Sequence, residues 1–327
     1  MGIHARCQPT IKLIILKITD MKRTVFTLLI TMLGLGAFAQ QDALFSQYMF
    51  NKLIINPAYA GSRDGLSMTM VGRRQWVGID DGPQTLTFSI QSPLRNDHIG
   101  LGFYCYTDVL GPFQATGAIG TFAYRIKLGR GHLAFGIQGG IKHTYIDINQ
   151  LNVQDESDVV LNGTITKQTI PDANFGIYYN TERFYVGISS KHLFESEYGY
   201  LQETDDESVY GTLIRHFYAM AGVAIPLSDN LVLRPSTLVK YAQNAPVQVD
   251  INASLLIRDV LWIGASYRTK EALVLLTEIV VAKRLRIGYS YDIYFNEIQQ
   301  YNKGSHEVML EYNIPIIKNR MLTPRYF

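Results

Sequence analysis

The chain has 327 residues, of which 47% are hydrophobic and only 18% charged, with a formal net charge of +2. Charged residues fall below the roughly 25% usual in soluble domains, and near-neutrality without a long basic run excludes a nucleic-acid footprint. After residue 40 no apolar stretch approaches the roughly 18 residues a spanning helix needs, which excludes a helical membrane protein. The 21 tyrosines and 27 glycines point instead to strands, membrane interfaces and crowded walls.

Residues 1–39 read as targeting sequence. Met21, Lys22 and Arg23 form a basic start, Val25 to Phe38 an apolar core, and Ala37, Phe38 and Ala39 a cleavage site, so the mature chain begins at Gln40. Residues 1–20 are then an upstream extension. The rival reading is a retained membrane anchor from near Ile11, but Lys17, Asp20, Lys22 and Arg23 interrupt it. No cysteine follows the apolar core, and Cys105 alone remains after cleavage, so neither a lipid anchor nor an internal disulfide is expected.

Residues 40–65 precede the first predicted strand. Their turn-rich box, Asn56, Pro57, Ala58, Tyr59, Ala60 and Gly61, is expected at the periplasmic mouth or folded into a lumen. It reads either as a structural plug or as a docking surface.

Residues 66–327 repeat one pattern. Leu86, Phe88 and Ile90 oppose Thr85, Thr87, Ser89 and Gln91; Leu285, Ile287, Tyr289, Tyr291 and Ile293 oppose Arg284, Arg286, Gly288, Ser290 and Asp292. A period of two is that of a strand with unlike faces, and the spacing of an amphipathic helix is not kept. About 14 such segments are predicted, at 66–77, 84–91, 98–107, 115–127, 131–145, 172–180, 183–190, 212–225, 230–242, 246–257, 260–269, 272–281, 284–294 and 304–313. An even number of strands with an apolar outside and a polar, glycine-bearing inside predicts an all-β, antiparallel up-and-down barrel of the outer-membrane type, in contact with membrane lipid. A soluble β-sandwich would invert that polarity. Aromatic groups such as Phe103/Tyr104, Tyr178/Tyr179 and Tyr291/Tyr294 are expected in interfacial girdles, with Trp76 as an interface anchor ending the first strand.

With a periplasmic N-terminus, the even connections are predicted tight, among them Pro226–Asp229 and Arg258–Asp259, and the long ones near 146–171 and 191–211 external. The long loops are acidic, with Asp155, Glu156 and Asp158 in the first and Glu195, Glu197, Glu203, Asp205, Asp206 and Glu207 in the second. Solubility explains such runs, and no spaced calcium loop is present. Motifs for nucleophilic, zinc-peptidase, nucleotide or dithiol chemistry are absent, and His306 and Glu307 face opposite sides of a strand. His192, Glu195 and Glu197 are the one loop cluster noted. No catalytic, metal or cofactor site is expected, and the chain is not read as an enzyme.

The stretch QQDALFSQYMFNKLIINPAYAGSRDG, then GRRQWVGIDDGPQT, SPL, GLGF, AYRIKLGRGHLAFGIQGG, GYSYDIY, GSHEVMLEY and TPRYF, in this order, resembles the PorP/SprF family of Bacteroidota type IX secretion system membrane proteins. The resemblance spans the mature chain, and NPAYAG with QWVG carries it most specifically. It implies an outer-membrane component of the type IX secretion and gliding machinery. Such a component would receive or anchor secreted surface proteins, adhesins among them, through their C-terminal sorting domain, beside other translocon subunits. Asn56, Pro57, Tyr59, Gly61 and Trp76 become candidates for partner docking or plugging. The acidic residues Glu195, Glu197, Glu203, Asp205, Asp206 and Glu207 become a candidate client-binding rim. A passive porin or uptake channel is the alternative, and an outer-membrane hydrolase a more distant one.

Overall fold

The computed structural model describes residue 42 and residues 45–94, 97–147, 166–199, 210–281 and 284–315. The predicted leader, Asp155, Glu156, Asp158, Glu203, Asp205, Asp206, Glu207 and the terminal Tyr326 and Phe327 lie outside the described residues. Strands β1 (Gly65–Arg74), β2 (Gln84–Pro93), β3 (Ile99–Leu110), β4 (Phe113–Leu128), β5 (Gly131–Ile146), β6 (Thr166–Asn180) and β7 (Phe184–Lys191) follow one another as antiparallel neighbours. The second half comprises β8 (His216–Val223, resumed at Ile225–Ser228), β9 (Leu231–Ala242), β10 (Gln248–Ile257), β11 (Leu261–Arg268), β12 (Ala272–Val281), β13 (Leu285–Tyr294) and β14 (Ser305–Pro315). The two pieces of β8 keep one register on β9, Gly222 opposite Ser236 and Ile225 opposite Leu233. Pairing of β1 with β14, from Gly65↔Pro315 to Arg74↔His306, closes a 14-stranded antiparallel barrel.

Closure pairs the strands on both sides apart from the short stretch Ile225–Ser228, and paired edges are what a sheet in hydrocarbon requires. The outside is apolar, and Ile137, Ile188 and Ile251 are 57%, 55% and 57% exposed. Glu278, Asp292, Glu307 and Glu311 are fully enclosed. Water would favour the reverse, so the wall is built for lipid.

The expected alternation of connections holds. The long connections that follow β1, β5, β7 and β13 leave from one end of the barrel, and tight turns such as 129–130 and 258–260 lie at the other. Arg258 and Asp259 have φ of 52° and 56°, the left-handed backbone at the centre of a tight turn in which the Val260 N–H donates to the Ile257 carbonyl at 3.1 Å. Two details differ from expectation. Pro226 continues β8, paired with Val232, on a stretch bonded on one side only, where a missing N–H is tolerated. Tyr104, Tyr178 and Tyr294 are 2%, 1% and 2% exposed and turn into the lumen, not into girdles. Residues an odd number of positions apart along a strand point opposite ways, so one residue of each such pair must face inward.

The core of this molecule sits in the lumen. Tyr48, Met49, Phe50, Leu53, Ala58 and Tyr59 pack there with Trp262, Leu276 and Met309 from the wall. The lumen was expected to be polar throughout, but the wall carries apolar side chains where the N-terminal segment lies against it.

Candidate functional site

Residues 46–61 are all buried, and they bond to strands on opposite sides of the ring. At the long-loop end, the backbone N–H groups of Ser46 and Gln47 donate to the two carboxylate oxygens of Glu307 in β14, each at 2.8 Å. Ser46 Oγ reaches Asp292 at 2.8 Å, and Arg73 bridges Asp292 at 2.7 Å and Glu307 at 3.3 Å. Arg268 extends this network to Asp250 at 3.0 Å, and Lys240 reaches the same carboxylate at 3.0 Å. Lower down, Arg286 lies between Glu278 at 3.5 Å and Glu311 at 3.8 Å. Arg63 pairs with Glu311 at 3.2 Å. Lumenal charges that line an open pore stay solvated, whereas these pair with one another and with the segment.

Further along, Lys52 lies over the rings of Tyr59 and Tyr185. Arg234 stacks on Trp262 and Phe50, at 4.3 and 5.0 Å from the ring centres. Such contacts are strongest where water is excluded.

The turn-rich box fixes the other end. Pro57–Tyr59 is a single 3₁₀ turn, and Asn56 caps it by accepting from the Ala58 N–H at 2.9 Å. The Asn56 amide also donates to the carbonyls of Ile177 and Ile188, at 3.0 and 3.1 Å, which face each other across β6 and β7. A Cβ at Gly136 would run into the Ala58 nitrogen, and one at Gly176 into the Asn56 carboxamide. These strand glycines let two backbones approach, which only a missing side chain permits. Tyr59 meets Tyr178 edge-on at 5.5 Å and accepts from Arg63 Nε at 2.8 Å. Gly61 reverses the chain toward β1 at φ +72°, and its carbonyl accepts from Arg125.

Trp76 lies two residues beyond β1, half-buried at φ 53°, and its backbone N–H donates to Ser305 Oγ at 3.0 Å. Glu195 pairs with Arg215 at 3.2 Å, both partly exposed. Glu197 starts a two-stranded hairpin, Glu197–Gly199 with Tyr210–Thr212. The loop cluster of His192, Glu195 and Glu197 does not form, because His192 turns inward to Asp42 at 2.9 Å and Asp172 at 3.1 Å. Burial pushes the Asp42 carboxyl up, but Lys191 and His192 outweigh it and hold Asp42 well below the usual carboxylate range. Burial opposes charge on His192, yet Asp42 and Asp172 raise its pKa above the ordinary imidazole value. Sequence reasoning missed Asp42, Ser46 and Arg73. Their partners lie between 149 and 261 residues away, or on strands far along the chain, and no local pattern marks them.

A closed barrel with a lipid-compatible outside and a filled, ion-paired inside is an outer-membrane β-barrel. The family model for the type IX secretion system membrane protein PorP/SprF matches residues 37–312. The chain belongs to that family, and so to the outer membrane of a Gram-negative bacterium. Among curated proteins, none matches the sequence. Similar solved structures include the Pseudomonas putida toluene transporter TodX, with 10% identity, a TM-score of 0.44, and coverage of 79% of this chain and 92% of that one. The outer membrane protein Omp33 of Acinetobacter baumannii is 8% identical, with a TM-score of 0.45 over 76% and 98%. The translocator domain of the autotransporter NalP from Neisseria meningitidis is 12% identical, with a TM-score of 0.41 over 82% and 96%.

Proposed function

We propose that this barrel is an outer-membrane subunit of the type IX secretion and gliding machinery that receives or anchors secreted surface proteins, adhesins among them, by their C-terminal sorting domain. The observation that carries the reading is the occupied lumen. Residues 46–61 are buried there and held from Glu307 on one side to Ile177 and Ile188 on the other. A solute pore needs an open path, and this segment lies across it.

Partners are then met at the rims. Asn56, Pro57 and Tyr59 spend their contacts on the barrel wall, so we assign them to holding the segment in place. The 192–215 connection at the long-loop end, with Glu195 and Glu197 exposed or half-exposed, is the surface we assign to the client. Tight turns at the opposite end suit the periplasm, where other translocon subunits would contact the barrel.

The test is a gentle-detergent pull-down of the tagged protein from its native outer membrane, with mass spectrometry of what co-purifies. Recovery of a secreted protein with a C-terminal sorting domain, or of translocon subunits, is the expected result. A solitary barrel that conducts steadily in planar bilayers would overturn the reading in favour of a porin. Replacing 195–207 with a short Gly/Ser linker should abolish client retention and leave membrane insertion intact; full retention would remove that loop from the role.

A further inference from the structure

At the long-loop end of the lumen, two histidines and a carboxylate from three parts of the chain converge. Asp42 belongs to the lumenal segment, His192 follows β7, and His216 opens β8. One potential ligand atom from each lies within 4.8 Å of the other two. Both histidines are 3% exposed, so this is an interior cluster and not a solvated patch of side chains.

The surroundings decide which atoms are spare. His216 Nδ1 is 2.8 Å from the Ile214 carbonyl, an oxygen that accepts and cannot donate, so Nδ1 carries the proton. The lone pair is then on Nε2, which is buried and has no hydrogen-bond partner among the described residues. An orphaned acceptor in a dry interior is costly unless something occupies it. His192 Nδ1 lies at ion-pair distance from Asp172 Oδ1, 3.1 Å, without hydrogen-bond geometry, and Nε2 meets Asp42 Oδ1 at 2.9 Å. A carboxylate behind one ring nitrogen is the arrangement that orients the other toward a metal ion. Asp42 Oδ2 is held by Lys191 Nζ at 2.6 Å and by the Tyr218 hydroxyl at 3.1 Å, which leaves Oδ1, in contact with His192 Nε2, as the oxygen that can turn to a metal ion.

We propose that Asp42, His192 and His216 bind a divalent transition-metal ion of the zinc class, with Asp172 positioning His192, and Lys191 and Tyr218 positioning Asp42. Two imidazoles and one carboxylate suit zinc, whereas calcium and magnesium require oxygen ligands. Bonds of about 2.0–2.2 Å place tetrahedral zinc ligands roughly 3.3 Å apart, so the cluster needs to close by no more than about 1.5 Å. The ion takes the place of the direct Asp42–His192 contact, and a water molecule completes its fourth position. It thereby ties the lumenal segment to both ends of the 192–215 connection. The site stands on this geometry and does not depend on which client, if any, the barrel holds.

The experiment uses the full chain, purified in detergent without a histidine tag, stripped with chelator and then titrated with Zn²⁺ and with Co²⁺ as a spectroscopic probe. The expected result is one tightly held zinc per barrel and strong visible absorption from four-coordinate cobalt. His216→Ala and Asp42→Asn should each weaken binding at least about 10-fold. His143→Ala, at an exposed strand position, should leave it unchanged. Heat-modifiable migration on gels verifies that each variant is folded. Sub-stoichiometric zinc without cobalt bands in the wild-type protein overturns the site, as does unaltered affinity in either folded variant. The wild-type spectrum decides the matter even where a variant does not fold.

Discussion

Asn56 uses its whole side chain: Oδ1 caps the 3₁₀ turn, and Nδ2 reaches two carbonyls on facing strands. Asn56→Ala removes these bonds in a dry interior, at a cost of about 2–3 kcal/mol. Amides of residues 46–61 should then exchange roughly 30- to 160-fold faster while strand amides stay protected, as hydrogen-exchange mass spectrometry would report. Glycine gives a second contrast on one strand. Gly136→Ala drives a methyl into the Ala58 backbone and should loosen the segment by about 1–3 kcal/mol, whereas Gly139 has nothing within 4 Å and Gly139→Ala should be silent. The same exchange measurement reads both, and equal behaviour of the two variants would contradict the packing described. The turn chemistry of Asn56, Pro57 and Gly61 was legible in the sequence, since these residue types prescribe their own backbone. What Asn56 holds was not, because Ile177 and Ile188 lie 121 and 132 residues away.

Strands were the most legible elements, because lipid outside and a filled lumen inside enforce alternation along most of them. The ends of strands were less so. Pro226 signals a turn in any local reading, and only its place on a singly bonded stretch of β8 explains why it continues the strand. Trp76 was placed on β1 and lies beyond it, where the chain has already turned at positive φ. Between elements, the ion-pair network does the joining. Arg73 ties β1 to Asp292 of β13 and Glu307 of β14, beside the seam that closes the barrel. Arg73→Met leaves two enclosed carboxylates without their shared cation, a loss of about 3–5 kcal/mol. The midpoint of heat-modifiability should fall accordingly, and an unchanged midpoint would show that Arg268 alone suffices for Asp292. Alternation puts all these residues inside the barrel but is blind to which of them pair, since partners are set by the register around the ring.

For the whole molecule, the sharpest expectation concerns current. Wild-type protein in planar bilayers should be silent or nearly so, and deletion of residues 45–61 should yield a steady, porin-like conductance from a barrel that still inserts. Open wild-type channels would mean that the segment leaves the lumen under ordinary conditions. The occupied lumen also constrains how the molecule is made. Ser46 precedes the first strand of the barrel, and the partner of its amide, Glu307, lies 261 residues later on β14. Contacts of such separation form slowly, because chain entropy opposes them until the final strand arrives. The seam between β1 and β14 therefore has to zip around a segment already threaded through the nascent ring. Plugging and closure become one kinetic event, and no unplugged, closed intermediate needs to appear in the membrane during biogenesis.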